Sequence, residues 1–106
     1  MNTELNDVFF ALADPTRRAI LGRLAQGPAT VGALAEPFEI SAPAISKHMK
    51  ILDRAGLIER SVVGREHHCR LHPQALKEAE DWLVYYREFW ETRLDELEAF
   101  LIQEQT

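Results

Sequence analysis

A chain of 106 residues with ordinary apolar and charged content is one domain with a single modest core. The lone Cys69 excludes an internal disulfide, and no apolar run approaches the ~20 residues of a membrane span. The net charge of −5 argues against a nucleic-acid binder until its distribution is followed along the chain. Residues 1–40 hold three basic and five acidic groups, residues 41–72 six and three, and residues 73–106 three and nine. Exposed charges more than about 8 Å apart are largely screened at physiological salt, so the basic centre acts locally despite the acidic total. The opening MNTELNDV has no basic stretch followed by an apolar one. With the single cysteine, this makes a cytoplasmic location the expectation.

Residues 3–13 place Leu5, Val8, Phe9 and Leu12 on one stripe with Phe10 beside it, which predicts an amphipathic helix. Asp14-Pro15 is a start signal, an N-cap followed by proline in the first turn. The helix it opens buries Ile20, Leu21 and Leu24 and stops before Gly27-Pro28. Arg17 and Arg18 fall in its first turn, the unfavourable end of the helix dipole for cations. Solvated charge or an internal salt bridge is the expectation for both, ahead of a DNA contact.

Residues 30–56 then form a pair of short helices around a tight turn. Thr30 caps the first, whose apolar positions are Val31, Leu34, Ala35 and Phe38, and Pro37 limits its length. Glu39-Ile40 make the corner. Ser41 caps the second helix, Pro43 lies in its first turn, and Gly56 ends it. On a helical wheel Ile45, Met49 and Leu52 share one side. Pro43, Lys47, Lys50 and Arg54 share the other, with Ser46 to one side. One face is apolar. The opposite face is cationic, carries no carboxylate and begins with the small Ala42 and Ala44. A helix entering a DNA major groove needs that combination: short side chains for close approach, then cations for phosphates or guanine edges. An ordinary solvated basic face has the same pattern, so this helix alone does not decide. His48 lies at the margin of the two faces, placed either to pack or to donate to a phosphate. Leu34, Ala35, Phe38, Ile40 and Ile45 take the packing positions of a helix-turn-helix.

After Gly56 the periodicity changes to that of a hairpin over residues 57–71, with Gly64-Arg65 as the turn. His67, Cys69 and Leu71 share one face of its second strand and Glu66, His68 and Arg70 the other. A hairpin directly after a groove-reading helix is a wing, and Arg60, Arg65 and Arg70 would carry its charge. The run His67-His68-Cys69 invites a metal reading, but neighbours on a strand point to opposite faces and Cys69 alternates with Leu71 as core. No metal or other cofactor is expected. Pro73 opens the longest element, which has no internal Gly or Pro. Leu76, Ala79, Leu83, Tyr86, Trp90, Leu94, Leu97 and Leu101 recur along it at three- and four-residue steps, widened by Trp82, Tyr85, Phe89 and Phe100. About 30 helical residues span ~45 Å, more than so small a core covers. A second copy of the chain is the simplest partner for the excess apolar surface. The many carboxylates of this helix read as a solvated face with i,i+4 partners such as Arg87 and Glu91. No phosphate-binding loop, HExxH, GxSxG or Cys-His pair outside the wing appears, so no catalytic site and no enzyme is expected.

The run ALADPTRRAILGRLAQGPATVGALAEPFEISAPAISKHMKILDRAGLIE, followed by the wing GREHHCRLHP, resembles the ArsR/SmtB family of dimeric winged helix-turn-helix repressors. DPTRRAIL, SxPAISKHMKIL and RAGLI carry the likeness, which covers nearly the whole chain. The resemblance implies a mainly α fold with a small β-hairpin wing, in the order α-α-α-α-β-β-α with room for a short extra strand before the reading helices. It implies a homodimer through the first and last helices, residues 1–13 and 74–104. Its DNA-facing positions fall on Ser41, Ala42, Ala44, Ser46, Lys47 and Lys50, with His48 near the backbone and Arg65 at the wing tip; Arg54 joins them from the wheel. The dimer contacts expected are Leu5, Phe9, Phe10, Trp82, Tyr86, Phe89, Trp90, Leu94, Leu97 and Leu101. The family's thiolate pair falls here on Thr30 and Gly32, and no histidine lies beyond position 72, so both familiar metal sites lack their ligands. The expected function is a regulator, most simply a repressor, that binds an inverted repeat in double-stranded DNA. The aromatic stripe is either dimer core or the wall of a pocket for an apolar small-molecule effector. The competing reading is a winged-helix protein-interaction module that uses its acidic, aromatic last helix.

Overall fold

Three side-chain caps fix where helices begin. In the computed structural model, which describes residues 3–105 with side chains from residue 5 onward, Asp14 accepts from the Arg17 N–H at 3.0 Å. Thr30 accepts from Ala33 N–H at 3.1 Å, and Ser41 from Ala44 N–H at 3.3 Å. Each removes one orphan donor from a first turn. The elements are α1 (Thr3–Leu12), α2 (Pro15–Leu24), β1 (Ala29–Thr30), α3 (Val31–Ala35), α4 (Ala42–Arg54), β2 (Ile58–Val63), β3 (Glu66–Leu71) and α5 (Pro73–Glu104). This is the expected order, with β1 as the short extra strand. Met1, Asn2 and Thr106 of the expected single domain lie outside the described residues.

The sheet is antiparallel in the order β1-β3-β2. β1 pairs Ala29 with Cys69 and Thr30 with His68, while β2 runs from Ile58 opposite Leu71 to Val63 opposite Glu66. Gly64 takes φ +65° at the hairpin turn, and Gly56 takes φ +73° where α4 ends, conformations that a Cβ would strain. The base of the hairpin is tied to the end of α4. His72 donates its backbone N–H to Leu57 O at 2.8 Å and its Nδ1 to Gly56 O at 3.0 Å.

The core forms where α1, α2 and α4 meet over the sheet. Ile20, Leu21, Leu24, Leu34, Ile45, Met49 and Leu52 are buried as the spacing predicts. Four points differ from expectation. In α1 the fully buried residues are Val8 and Ala11, while Leu5, Phe9 and Leu12 are half-buried against them. α3 is a single short helix ending before Pro37, so Phe38 packs from the corner. Ile40, expected in the packing, is 38% exposed, because the corner between α3 and α4 runs over the surface. Leu57 is fully buried but precedes β2 rather than starting it.

Candidate nucleic-acid interface

The positions of α4 divide as its wheel predicts. Ile45, Met49 and Leu52 face the core. Ser41, Ala42, Ser46, Lys47, Lys50 and Arg54 are exposed, and Ala44 and His48 are half-buried. Among the described residues, no ion pair involves Lys47, Lys50 or Arg54. The cations of this face are uncommitted, and the macrodipole leaves a positive end at Ser41 and Ala42. The Ser41 hydroxyl oxygen is used by the cap, but its O–H stays free to donate outward. Arg65 is exposed at the hairpin turn.

Arg60, named with the wing, is exposed on β2 and among the described residues has no ion pair, whereas Arg70, Arg17 and Arg18 are already engaged. Arg70, expected on the wing's charged face, stands opposite Glu59 in the register and donates its Nε to Glu59 Oε2 at 2.6 Å. The same carboxylate reaches His72 Nε2 at 3.6 Å. Arg70 is therefore a cross-strand partner and not a free wing cation.

Arg17 departs furthest from expectation. It is neither solvated nor paired to a carboxylate in a salt bridge; it is 7% exposed. Its Nε donates to Ala11 O at 2.7 Å and its Nη2 to Phe10 O at 2.9 Å. Its guanidinium lies 5.3 Å from the centroid of the Phe10 ring. Arg18 donates to Leu12 O at 2.7 Å. The two arginines thus cap the C-terminus of α1, where the dipole favours cations, which offsets their poor place at the start of α2. Arg17 Nη1 also meets His48 Nδ1 at 3.2 Å. Arginine only donates, so Nδ1 accepts and the ring proton of neutral His48 is on Nε2. Asp14 Oδ2 lies 3.9 Å from the same nitrogen. The Asp14 carboxyl is held below its ordinary 3.8, first by the Arg17 N–H bond, against a burial effect, with further help from the charge of Arg17 and the Thr16 N–H.

The second exposed surface runs along α5. Only Ala75 and Ala79 of this helix are buried. Phe9 meets Trp82 edge-on at 5.4 Å, and the Trp82 and Tyr86 rings lie 4.4 Å apart, tilted by 43°. Beyond them Phe89, Trp90, Leu94, Leu97, Phe100, Leu101 and Ile102 lie on solvent. Trp82, Leu83, Val84, Tyr86, Arg87 and Trp90 line an open groove of about 660 Å³. Of the expected dimer contacts, Leu5 and Phe9 are partly used within the chain, and Phe10 and the α5 residues are exposed. Arg87 pairs with Glu91 at 3.9 Å, as the i,i+4 spacing anticipates. Among the described residues no group of three or more His, Cys, Asp or Glu side chains comes together. Thr30 serves as a cap and Gly32 lies within α3. No helix among the described residues is long and apolar enough to cross a membrane.

Residues 12–61 match the family described as a helix-turn-helix domain. The transcriptional repressor SdpR of Bacillus subtilis (strain 168) is 39% identical over 82 residues, which cover 77% of this chain and 91% of the relative. The crystal structure of an ArsR family transcriptional regulator superposes with a TM-score of 0.79 at 45% identity, over 84% of this chain and 92% of that one. The chain belongs to the ArsR family. It is a DNA-binding transcriptional regulator built on a winged helix-turn-helix. A homodimeric winged helix-turn-helix DNA-binding domain from Mycobacterium bovis, solved by NMR, shares the fold of this ArsR-family chain. The TM-score is 0.62 at 24% identity, over 89% of this chain and 84% of that one.

Proposed function

We propose that the protein is a homodimeric repressor that binds an inverted-repeat operator in duplex DNA. The observation that carries this reading is the pairing of two surfaces: an uncommitted cationic face on α4, and an apolar face on α5 that its own protomer leaves uncovered. In this reading α4 enters the major groove with Ala42 and Ala44 allowing close approach. Lys47 and Lys50 meet phosphates or guanine edges, Ser41, Ser46 and Arg54 contact the backbone, and Arg65 holds the flanking groove. His48 contributes its Nε2–H at the edge of the same surface. The groove on α5 is assigned to the partner's α5 and not to an apolar effector or a foreign protein. Its apolar face continues to Ile102, far longer than a small molecule covers, and the neighbouring M. bovis domain is homodimeric. The relative named as a repressor supports the direction of regulation. Such a protein works in the cytoplasm.

Two-fold symmetry sets the operator. Paired recognition helices read half-sites centred about one helical turn, ~34 Å, apart. Selection from a random duplex library tests this. The expected outcome is an inverted repeat with that spacing. Recovery of asymmetric single sites, or no enrichment at all, would overturn the reading.

A further inference from the structure

Arg17 joins three pieces of the molecule that have different tasks. Two of its hydrogen bonds go to the last turn of α1, at Phe10 O and Ala11 O. Its own backbone belongs to α2, started by the Asp14 cap. Its third side-chain bond goes to His48 Nδ1 on α4. The guanidinium is buried and planar, with donors in a fixed fork, so the three bonds hold one geometry rather than a range of them. In the proposed dimer α1 flanks the two-fold axis and α4 reads the groove. The bond between Arg17 and His48 is then a direct polar link between the dimer scaffold and the reading helix.

We propose that Arg17 is a positioning residue. Acting through His48, it fixes the angle and distance of each α4 from the dimer axis, and so determines which half-site spacing the protein accepts. It contacts no DNA itself. This inference rests on the two-fold reading above. Shifting one half-site by a base pair moves it about 3.4 Å along the DNA and rotates it about 35° around the axis. A reading helix held by a rigid strut cannot follow that shift. One released from it follows by tilting on its apolar contacts at Ile45, Met49 and Leu52.

The experiment measures affinity of the full-length protein for an operator series in which the half-sites are moved apart or together by one and two base pairs. For the wild type, each one-base-pair change is expected to cost about tenfold or more. Arg17→Met and His48→Leu are expected to flatten the series to about threefold or less. His48→Asn places an amide oxygen where Nδ1 was, so it restores the acceptor and the narrow profile, whatever its affinity at the best spacing. His48→Leu leaves every bond of Arg17 to α1 in place, which keeps the test open if Arg17→Met fails to fold. A His48→Leu profile as narrow as the wild type's overturns the proposal. So does a uniform loss across all spacings in Arg17→Met together with a shallower salt dependence, which would make Arg17 a phosphate contact. A wild type indifferent to spacing overturns the two-fold operator itself, and the strut with it.

Discussion

Replacing Trp90 with alanine removes the largest exposed side chain near the middle of α5. Trp90 is 61% exposed, and its ring meets that of Phe89 at 5.9 Å. A tryptophan presents roughly 250 Å² in all, so about 150 Å² of it faces solvent in the protomer. If the dimer covers most of that, two copies remove about 240 Å² from water. At roughly 25 cal/mol per Å² this is worth about 6 kcal/mol per dimer, of which the alanine retains a part. The expected loss is about 4–6 kcal/mol, or a 10³- to 10⁴-fold weaker dimer. The protomer should keep its helical content, because Ala75, Ala79 and the Phe9–Trp82 contact anchor α5 elsewhere. Sedimentation over a concentration series, with circular dichroism as the control for folding, measures both. Equal association constants for wild type and variant would refute the assignment of this face. A wild type that stays monomeric at every concentration would refute the dimer.

Two further outcomes concern stability and reactivity. Asp14→Ala should cost about 0.5–2 kcal/mol at neutral pH through the lost cap of α2. Because the Asp14 carboxyl is held below 3.8 in the folded state, its contribution is complete above that value and fades as pH falls through the lowered one. Melting curves of wild type and variant should therefore converge in acid; a difference that grows there would contradict the assignment. The Cys69 thiol is 1% exposed, and burial pushes its pKa above the ordinary 9.0, against a lowering by Arg60. Alkylation by iodoacetamide at pH 8 should run far slower than for a free thiol and speed up in denaturant. Modification of the folded protein at the free-thiol rate would show that the strand pairing of β3 is wrong.

Much of the fold was legible because its punctuation is local. Asp14-Pro15, Thr30 and Ser41 act within three residues of themselves, and all three caps form as read. The trio Ile45, Met49 and Leu52 was visible because one helix carries both periodicity and a cationic opposite face. Gly64 marked the hairpin because only a residue without Cβ takes its φ freely. What escaped depends on partners distant in sequence. Nothing in a first-turn arginine announces that its acceptors are the carbonyls ending the previous helix, so Arg17 read as solvated or salt-bridged. Glu59 and Arg70 are eleven residues apart, and only the register makes them partners. The burial of Ala11, Ala29 and Ala55 carries no strong hydropathy signal, because close approach of elements, not apolarity, puts small residues inside. Ile40 misled in the other direction: an apolar residue in a two-helix corner reads as packed, yet the corner lies on the surface. Of the candidate interface, the sequence identified the exposed cations of α4 correctly, since a helix face is set by spacing alone. It overcounted the wing, where pairing across strands consumes Arg70.

A salt titration tests most directly whether the cationic face of α4 binds DNA. Each phosphate contact contributes about 0.9 to the slope of log K against log salt, and each lysine counts twice in a dimer. If Lys47 and Lys50 both meet phosphates, changing both to alanine should flatten the slope by about 3.6. Binding that weakens with a clearly flatter slope is the predicted result. A slope unchanged from the wild type would contradict the assignment of this helix as the element that reads DNA.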